Sequence, residues 1–201
     1  MTDTITTKMT EFKQRLADVT HLRSALYILE WDQQVNMPIK GTQLRATTTS
    51  TLSRLLHEHY LALNENNLIT DLKKALDQNE ISGDDAIIVQ EVWRDFEKQQ
   101  KLPVEFVSEL SQLSSEMLAA WTKARKDNDF VAYAPSLEKM VALNKREAEY
   151  IGYTGSPYNA LLDSYEPGLT TDELDTIFAE LKAFLIPFIA QLEHLLGKPS
   201  R

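Results

Sequence analysis

The two histidines of HEHY at residues 57–60 are the side chains whose types most readily suggest metal chemistry. In a helical zinc site of the form H-E-x-x-H, the i,i+4 spacing brings both imidazoles to one face and the glutamate serves as general base. Here His57 and His59 are two apart, and the position four beyond His57 is Leu61. A two-residue step places the rings about 200° apart around a helix. They cannot close on one ion without breaking it. The spacing predicts His59 on an inward seam and His57 off it. His21 and His194 stand alone, and an independent metal site built from His57, His59 and nearby acids has no spacing to favour it.

A second candidate cluster is EWDQQVNMP at residues 30–38. An acid, three amides and a tryptophan in one stretch could serve catalysis. They could equally end a helix, with Asp32, Gln33, Gln34 and Asn36 satisfying terminal backbone groups, Trp31 anchoring the end and Pro38 forbidding continuation. The residue chemistry favours the helix stop. Ser156 in TGSPY precedes a proline and suits a turn better than a nucleophile. The many acids read as solvated helix faces, as with Glu97 and Lys101 at i,i+4. Trp31, Trp93 and Trp121 suit either ligand stacking or core packing, and core packing is the commoner use. No phosphate-binding glycine loop and no G-x-S-x-G elbow is present. No catalytic residue and no metal ligand emerges from residue types alone.

The elements that carry these residues are helical. Ile5, Met9, Phe12, Leu16, Val19, Leu22, Leu26 and Leu29 repeat at steps of three and four, which predicts a long helix with one apolar face. After the break at Pro38 and Gly41, Leu44, Thr48, Leu52, Leu55, His59 and Leu63 repeat similarly. The two are expected to form an antiparallel hairpin over about residues 5–65. Further helices follow from Leu68, from near Ser82 with Ile88, Val92 and Phe96 inward, and from Pro103 to about Lys126. Another is expected to open with Pro135 in its first turn. A last one is capped by Thr170 with Glu173, kinked by Pro187 and stopped at Gly197 and Pro199. The fold class is all-α: the N-terminal hairpin plus a bundle over about residues 67–197, some six to eight helices in a single region spanning 1–201.

Bulk properties fit that class and exclude others. The chain of 201 residues is 43% hydrophobic and 25% charged, ordinary proportions for a globular protein. A formal charge of −9 without a basic cluster opposes nucleic-acid and anionic-membrane binding. Cysteine is absent, which excludes disulfides and thiolate sites. With no secretory signal and no run of apolar residues long enough to span a bilayer, the expected location is the cytoplasm.

WDQQVNMP, followed by GTQLRA and LSRLLHE, resembles the carboxypeptidase Taq family of zinc metallocarboxypeptidases. The likeness continues in order through WRDFEKQQKLP, the stretch beginning WTKARKDNDF, and SPYNALLDSYEPGLTTDELDTIFAEL, from about Phe12 to Leu196. The resemblance implies an all-helical, homodimeric, cytoplasmic enzyme that removes C-terminal residues from peptides. Its zinc (or cobalt) would be held by H-E-x-x-H and a downstream glutamate at the base of a groove that N-terminal helices partly wall. That motif has no counterpart here, so no catalytic residue, zinc ligand or cofactor is carried over onto this chain. The expectation is an N-terminal helical portion of such an enzyme, inert alone, whose partner is a second copy or the missing C-terminal catalytic half; the alternatives are a non-catalytic interaction module or half of a split enzyme. Trp31, Asp32, Gln33 and Met37 are its family-marker positions in the groove wall, and Tyr158, Tyr165 and Glu166 are candidates to approach substrate or the missing half.

Overall fold

A computed structural model describes residues 2–196 of the chain. The described residues form eight α-helices and no strand, so the protein is all-α. The helices are α1 (Thr2–Val35), α2 (Thr42–Leu61), α3 (Leu68–Asp77), α4 (Gly83–Gln99), α5 (Val104–Asp127), α6 (Phe130–Ile151), α7 (Tyr158–Leu162) and α8 (Thr171–Leu196). Two compact units result, Met1–Arg146 and Glu147–Arg201, with the division falling inside α6.

In the first unit α1 and α2 form the expected antiparallel hairpin. Arg15 reaches Ala62 and Glu65 near the open end, Arg23 lies over the Tyr60 ring, and Arg45 reaches Leu29 and Asp32 at the closed end. The seam read along α1 is the buried one: Met9, Phe12, Val19 and Leu26 are almost inaccessible. Met9, Phe12 and Val19 meet Leu63, Ile69, Leu72, Val89 and Phe96 in a core shared with α2, α3, α4 and the 3-10 turn Ala62–Asn67. That turn is tight because Asn66 and Asn67 both take left-handed backbone conformations, which asparagine tolerates better than most residues.

On α2 the inward face differs from the expected one. Ala46, Thr49, His57 and Tyr60 are buried, while Leu44 is 75% exposed and His59 is exposed. The sequence pattern had His59 inward and His57 off the seam; the reverse is observed. The cause is that α2 has helices on two sides. Besides pairing with α1, it packs most extensively on α5, antiparallel to it. His57 Nε2 donates to the Leu102 carbonyl (2.9 Å), Ser50 Oγ to the Ser108 carbonyl (3.0 Å), and Ser53 and Ser111 share a hydroxyl bond of 2.8 Å. Close approach of two helices selects small side chains, which a hydrophobicity pattern does not mark.

Two smaller differences have similar causes. Val89, with Phe96, is the most deeply buried residue on α4, and Ile88 and Val92 flank that core. Helix α6 starts at Phe130, too early for Pro135 to fall in its first turn, because Asp129 Oδ1 accepts from the Ala132 N–H (3.0 Å) and caps it there. Pro135 therefore lies inside the helix.

In the second unit, Asn159 ties the irregular segment together: Nδ2 donates to the Thr154 carbonyl and Oδ1 accepts from the Thr171 N–H, both at 2.9 Å. The capping box of α8 is present. Glu173 Oε2 accepts from the Thr170 N–H (2.9 Å) and Oγ1 (2.8 Å), and Thr170 Oγ1 accepts from the Glu173 N–H at 3.3 Å. These bonds hold the Glu173 carboxyl below its ordinary range. Helix α8 continues through Pro187 to Leu196, and the stop assigned to Gly197 and Pro199 lies outside the described residues.

Candidate functional site

The stretch EWDQQVNMP occupies the last turns of α1 and the bend after it. The Asp32 carbonyl accepts from both the Asn36 and Met37 N–H groups (2.9 Å each), which closes the helix before Pro38. The Asp32 carboxylate pairs with Arg45 of α2, whose guanidinium also donates to the Leu29 carbonyl. Asp32 is thus a latch on the hairpin. Met37 packs beside Gly41, where an added Cβ would sit 3.3 Å from its Cγ. Small size, rather than a special backbone angle, explains that glycine.

Gln33 makes the link to α5. Its Nε2 donates to the Ser115 carbonyl and its Oε1 accepts from Ser115 Oγ, both at 2.9 Å. Beside this bridge lies a cavity of about 480 Å³ between α1, α2 and α5, lined by Glu30, Gln34, Ser53, Ser111 and Ser114 among others. A second cavity, also about 480 Å³, sits at the end of α1, where Gln33, Gln34, Met37 and Ile39 face Leu118 and Trp121. A third, of about 350 Å³, lies at the turn from α5 to α6 between Trp121, Phe130 and Tyr133.

The structure therefore brings Gln33 and Met37 to one cavity and commits Asp32 elsewhere. Trp31 is 59% exposed and Trp121 48% exposed, so neither serves the core. Only Trp93 of the three packs inward, 6.0 Å from the Phe96 ring. Tyr158, Tyr165 and Glu166, in the second unit, are all exposed. Sequence reasoning missed Gln34, Ser111, Ser114 and Ser115 as lining residues. The available signal was the three- and four-residue spacing of serines along α5.

Among the described residues no group of three His, Asp or Glu side chains converges as a metal site. His57 Nε2 is committed to a carbonyl in a buried setting, and His59 points outward from the same helix. These imidazoles do not fit the donor set of a catalytic zinc, which requires three converging ligands and an open position.

Residues 11–198 match the family described as carboxypeptidase Taq (M32) metallopeptidase. The chain belongs to this family. It is 33% identical over 190 residues to carboxypeptidase 1 of Bacillus subtilis, covering 94% of this chain and 38% of that protein. To thermostable carboxypeptidase 1 of Pyrococcus furiosus it is 35% identical over 179 residues, covering 89% of this chain and 35% of that one. Its fold superposes on the BsuCP crystal structure with a TM-score of 0.86 at 33% identity, over 92% of this chain and 37% of that chain. On Trypanosoma cruzi metallocarboxypeptidase 1 the TM-score is 0.74 at 26% identity, covering 97% and 40%. The chain thus spans between a third and two fifths of the length of the carboxypeptidases it matches.

Proposed function

We propose that this chain is the N-terminal helical portion of a Taq-type zinc metallocarboxypeptidase, and that it walls the groove in which a peptide loses its C-terminal residue. The metal, zinc or cobalt, and the H-E-x-x-H ligands that hold it would come from sequence beyond these residues, on the same polypeptide or on a partner. The metal would polarise the scissile carbonyl and activate water. This chain's own part is to shape the groove and fix its helices, through the Asp32–Arg45 latch and the Gln33–Ser115 bridge.

The carrying observation is the match over nearly the whole chain to proteins of which it covers little more than a third. The apolar surface of α8 supports it. Phe184 and Ile186 are about two thirds exposed, and Phe178, Leu181, Phe188 and Ile189 are exposed as well. A helix apolar on most sides belongs inside a larger packed layer. Its cover would be the C-terminal catalytic half or a second copy, as in a homodimer. No described helix is long and apolar enough to cross a membrane, and a cytoplasmic peptidase is the location proposed.

The test is turnover. Purified chain incubated with zinc or cobalt and a blocked dipeptide is expected to release no C-terminal residue. Mixing it with the complementary portion of a relative that carries H-E-x-x-H is expected to restore release. Activity that copurifies with the chain alone and disappears with chelator overturns the proposal.

A further inference from the structure

The turn from α5 to α6 gathers side chains that neither the hairpin latch nor the Gln33 bridge uses. Asn128 takes a left-handed backbone conformation (φ 53°), so α5 can end at Asp127 and α6 begin at Phe130. Trp121 and Arg125 from the last turns of α5 thereby meet Phe130 and Tyr133 from the first turn of α6 around the third cavity, of about 350 Å³. All of it lies in the first unit.

Two features of this cavity call for a ligand. The first is aromatic surface held open to solvent. Trp121 is 48% exposed and Phe130 66%, and among the described residues neither ring stacks on another. The second is charge of both signs left unpaired. Arg125 and Asp129 line the same cavity, yet neither forms an ion pair with the other or with any other described residue. Asp129 spends Oδ1 on the Ala132 N–H, which leaves Oδ2. The Arg125 guanidinium has no protein acceptor.

These charges define the ligand by exclusion. A simple organic cation would approach Arg125, and a simple organic anion would approach Asp129, each against a like charge. A nucleic acid requires clustered cations, and one arginine beside an aspartate does not supply them. The volume is near the lower end of the roughly 300–1,000 Å³ of small-molecule pockets, which suits one small molecule rather than a chain. A free amino acid carries both charges in that compass. Its carboxylate matches the planar fork of a guanidinium, and its ammonium offers three donors to a carboxylate oxygen. A ring or large apolar group on it gains from contact with aromatic neighbours.

We propose that the cavity at the α5–α6 turn binds a free zwitterionic amino acid with an aromatic or large apolar side chain. Arg125 takes the carboxylate, Asp129 the ammonium, and the rings of Trp121, Phe130 and Tyr133 receive the side chain. The inference goes beyond the peptidase reading and does not depend on it, because this binding needs neither a metal nor the complementary portion.

The experiment titrates the 201-residue chain with L-phenylalanine and follows saturation-transfer NMR. Expected is saturable binding with a Kd of about 1 mM. N-acetyl-phenylalanine, which lacks the ammonium, and phenylalanine amide, which lacks the carboxylate, should each bind at least about tenfold more weakly. Glycine should not saturate over the same range. Arg125→Gln and Asp129→Asn should each weaken phenylalanine binding about tenfold. Asparagine keeps the cap of α6, so thermal melting should not move. Lys123→Gln removes an exposed charge from the same helix outside the cavity and should leave binding unaltered. Folded chain that shows no saturation up to about 20 mM overturns the proposal. So does equal binding of the acetylated or the amidated compound, which tests the charges without altering the protein, or indifference to both substitutions. The turnover assay is unaffected by any of these results.

Discussion

At the scale of single residues, the polar groups between helices act mainly to hold them in register. Asp32 is the clearest example: in sequence it reads as a candidate acid, and in the fold its carboxylate is occupied by Arg45. Tyr60 has a measurable consequence. Its ring stacks 6.3 Å from Phe96, its hydroxyl donates to the Val92 carbonyl at 3.3 Å, and the residue is 6% exposed. Burial first, and then the nearby Asp95 carboxylate, push its phenol from 10.0 up to about 12, against the opposing pull of Arg23 and Arg94. An acid whose pKa is raised by folding contributes stability that is whole below its unfolded value and is lost as pH rises. The loss should fall between pH 10 and about 12, and approach about 3 kcal/mol at its upper end. Urea denaturation followed from pH 8 to 11.5 should show Tyr60→Phe losing less stability than the parent over that window. Parallel curves for the two proteins would show that the phenol ionises as easily folded as unfolded.

At the scale of elements, α2 shows where pattern reading works and where it stops. The seam of α1 was legible because one continuous face of that helix is buried, and leucines and phenylalanines mark such a face. Helix α2 lies between α1 and α5, and its closest contacts use Ala46, Thr49, Ser50 and Ser53. Leu44 looked inward by spacing and is 75% exposed. The same limit hid the cavity between α1, α2 and α5. Gln33 and Ser115 are 82 residues apart in sequence, and nothing local in either predicts that they meet. Periodicity singles out neither Gln33 nor Met37, which line one cavity, and nothing local in the sequence says that Asp32 beside them is a structural latch. Two substitutions test the packing assignment. Ala46→Leu should overpack the α2 interface and destabilise the chain by about 1–3 kcal/mol. Leu44→Ser should change stability by less than about 0.5 kcal/mol. Chemical denaturation of both variants measures the difference, and the opposite ranking would restore the leucine seam as the inner face.

At the scale of the whole molecule, the contest is between apolar surface and charge. Helix α8 leaves Ile177, Phe178, Phe184, Ile186 and Ile189 all exposed. Phe184 and Phe188 stack on each other at 5.7 Å. Contiguous apolar surface of this kind favours association, while a net charge of −9 opposes the approach of like copies. The repulsion acts over a screening length of about 10 Å at 0.1 M salt and about 3 Å at 1 M, whereas apolar burial is not screened. Salt should therefore shift the balance toward association. Sedimentation velocity of the 201-residue chain should show an average mass that rises between 0.05 and about 0.5 M sodium chloride. The double substitution Phe184→Glu with Ile186→Glu should keep the chain monomeric across that range. Both side chains are about two thirds exposed, so thermal melting should move little. If α8 is instead covered in a family-length protein, adding the complementary portion of a relative should suppress self-association of the parent chain and fail to bind the doubly substituted one. A parent chain that stays monomeric at every salt concentration would mean that the α8 surface is too weak to recruit a second copy, which leaves the complementary portion as the occupant to test.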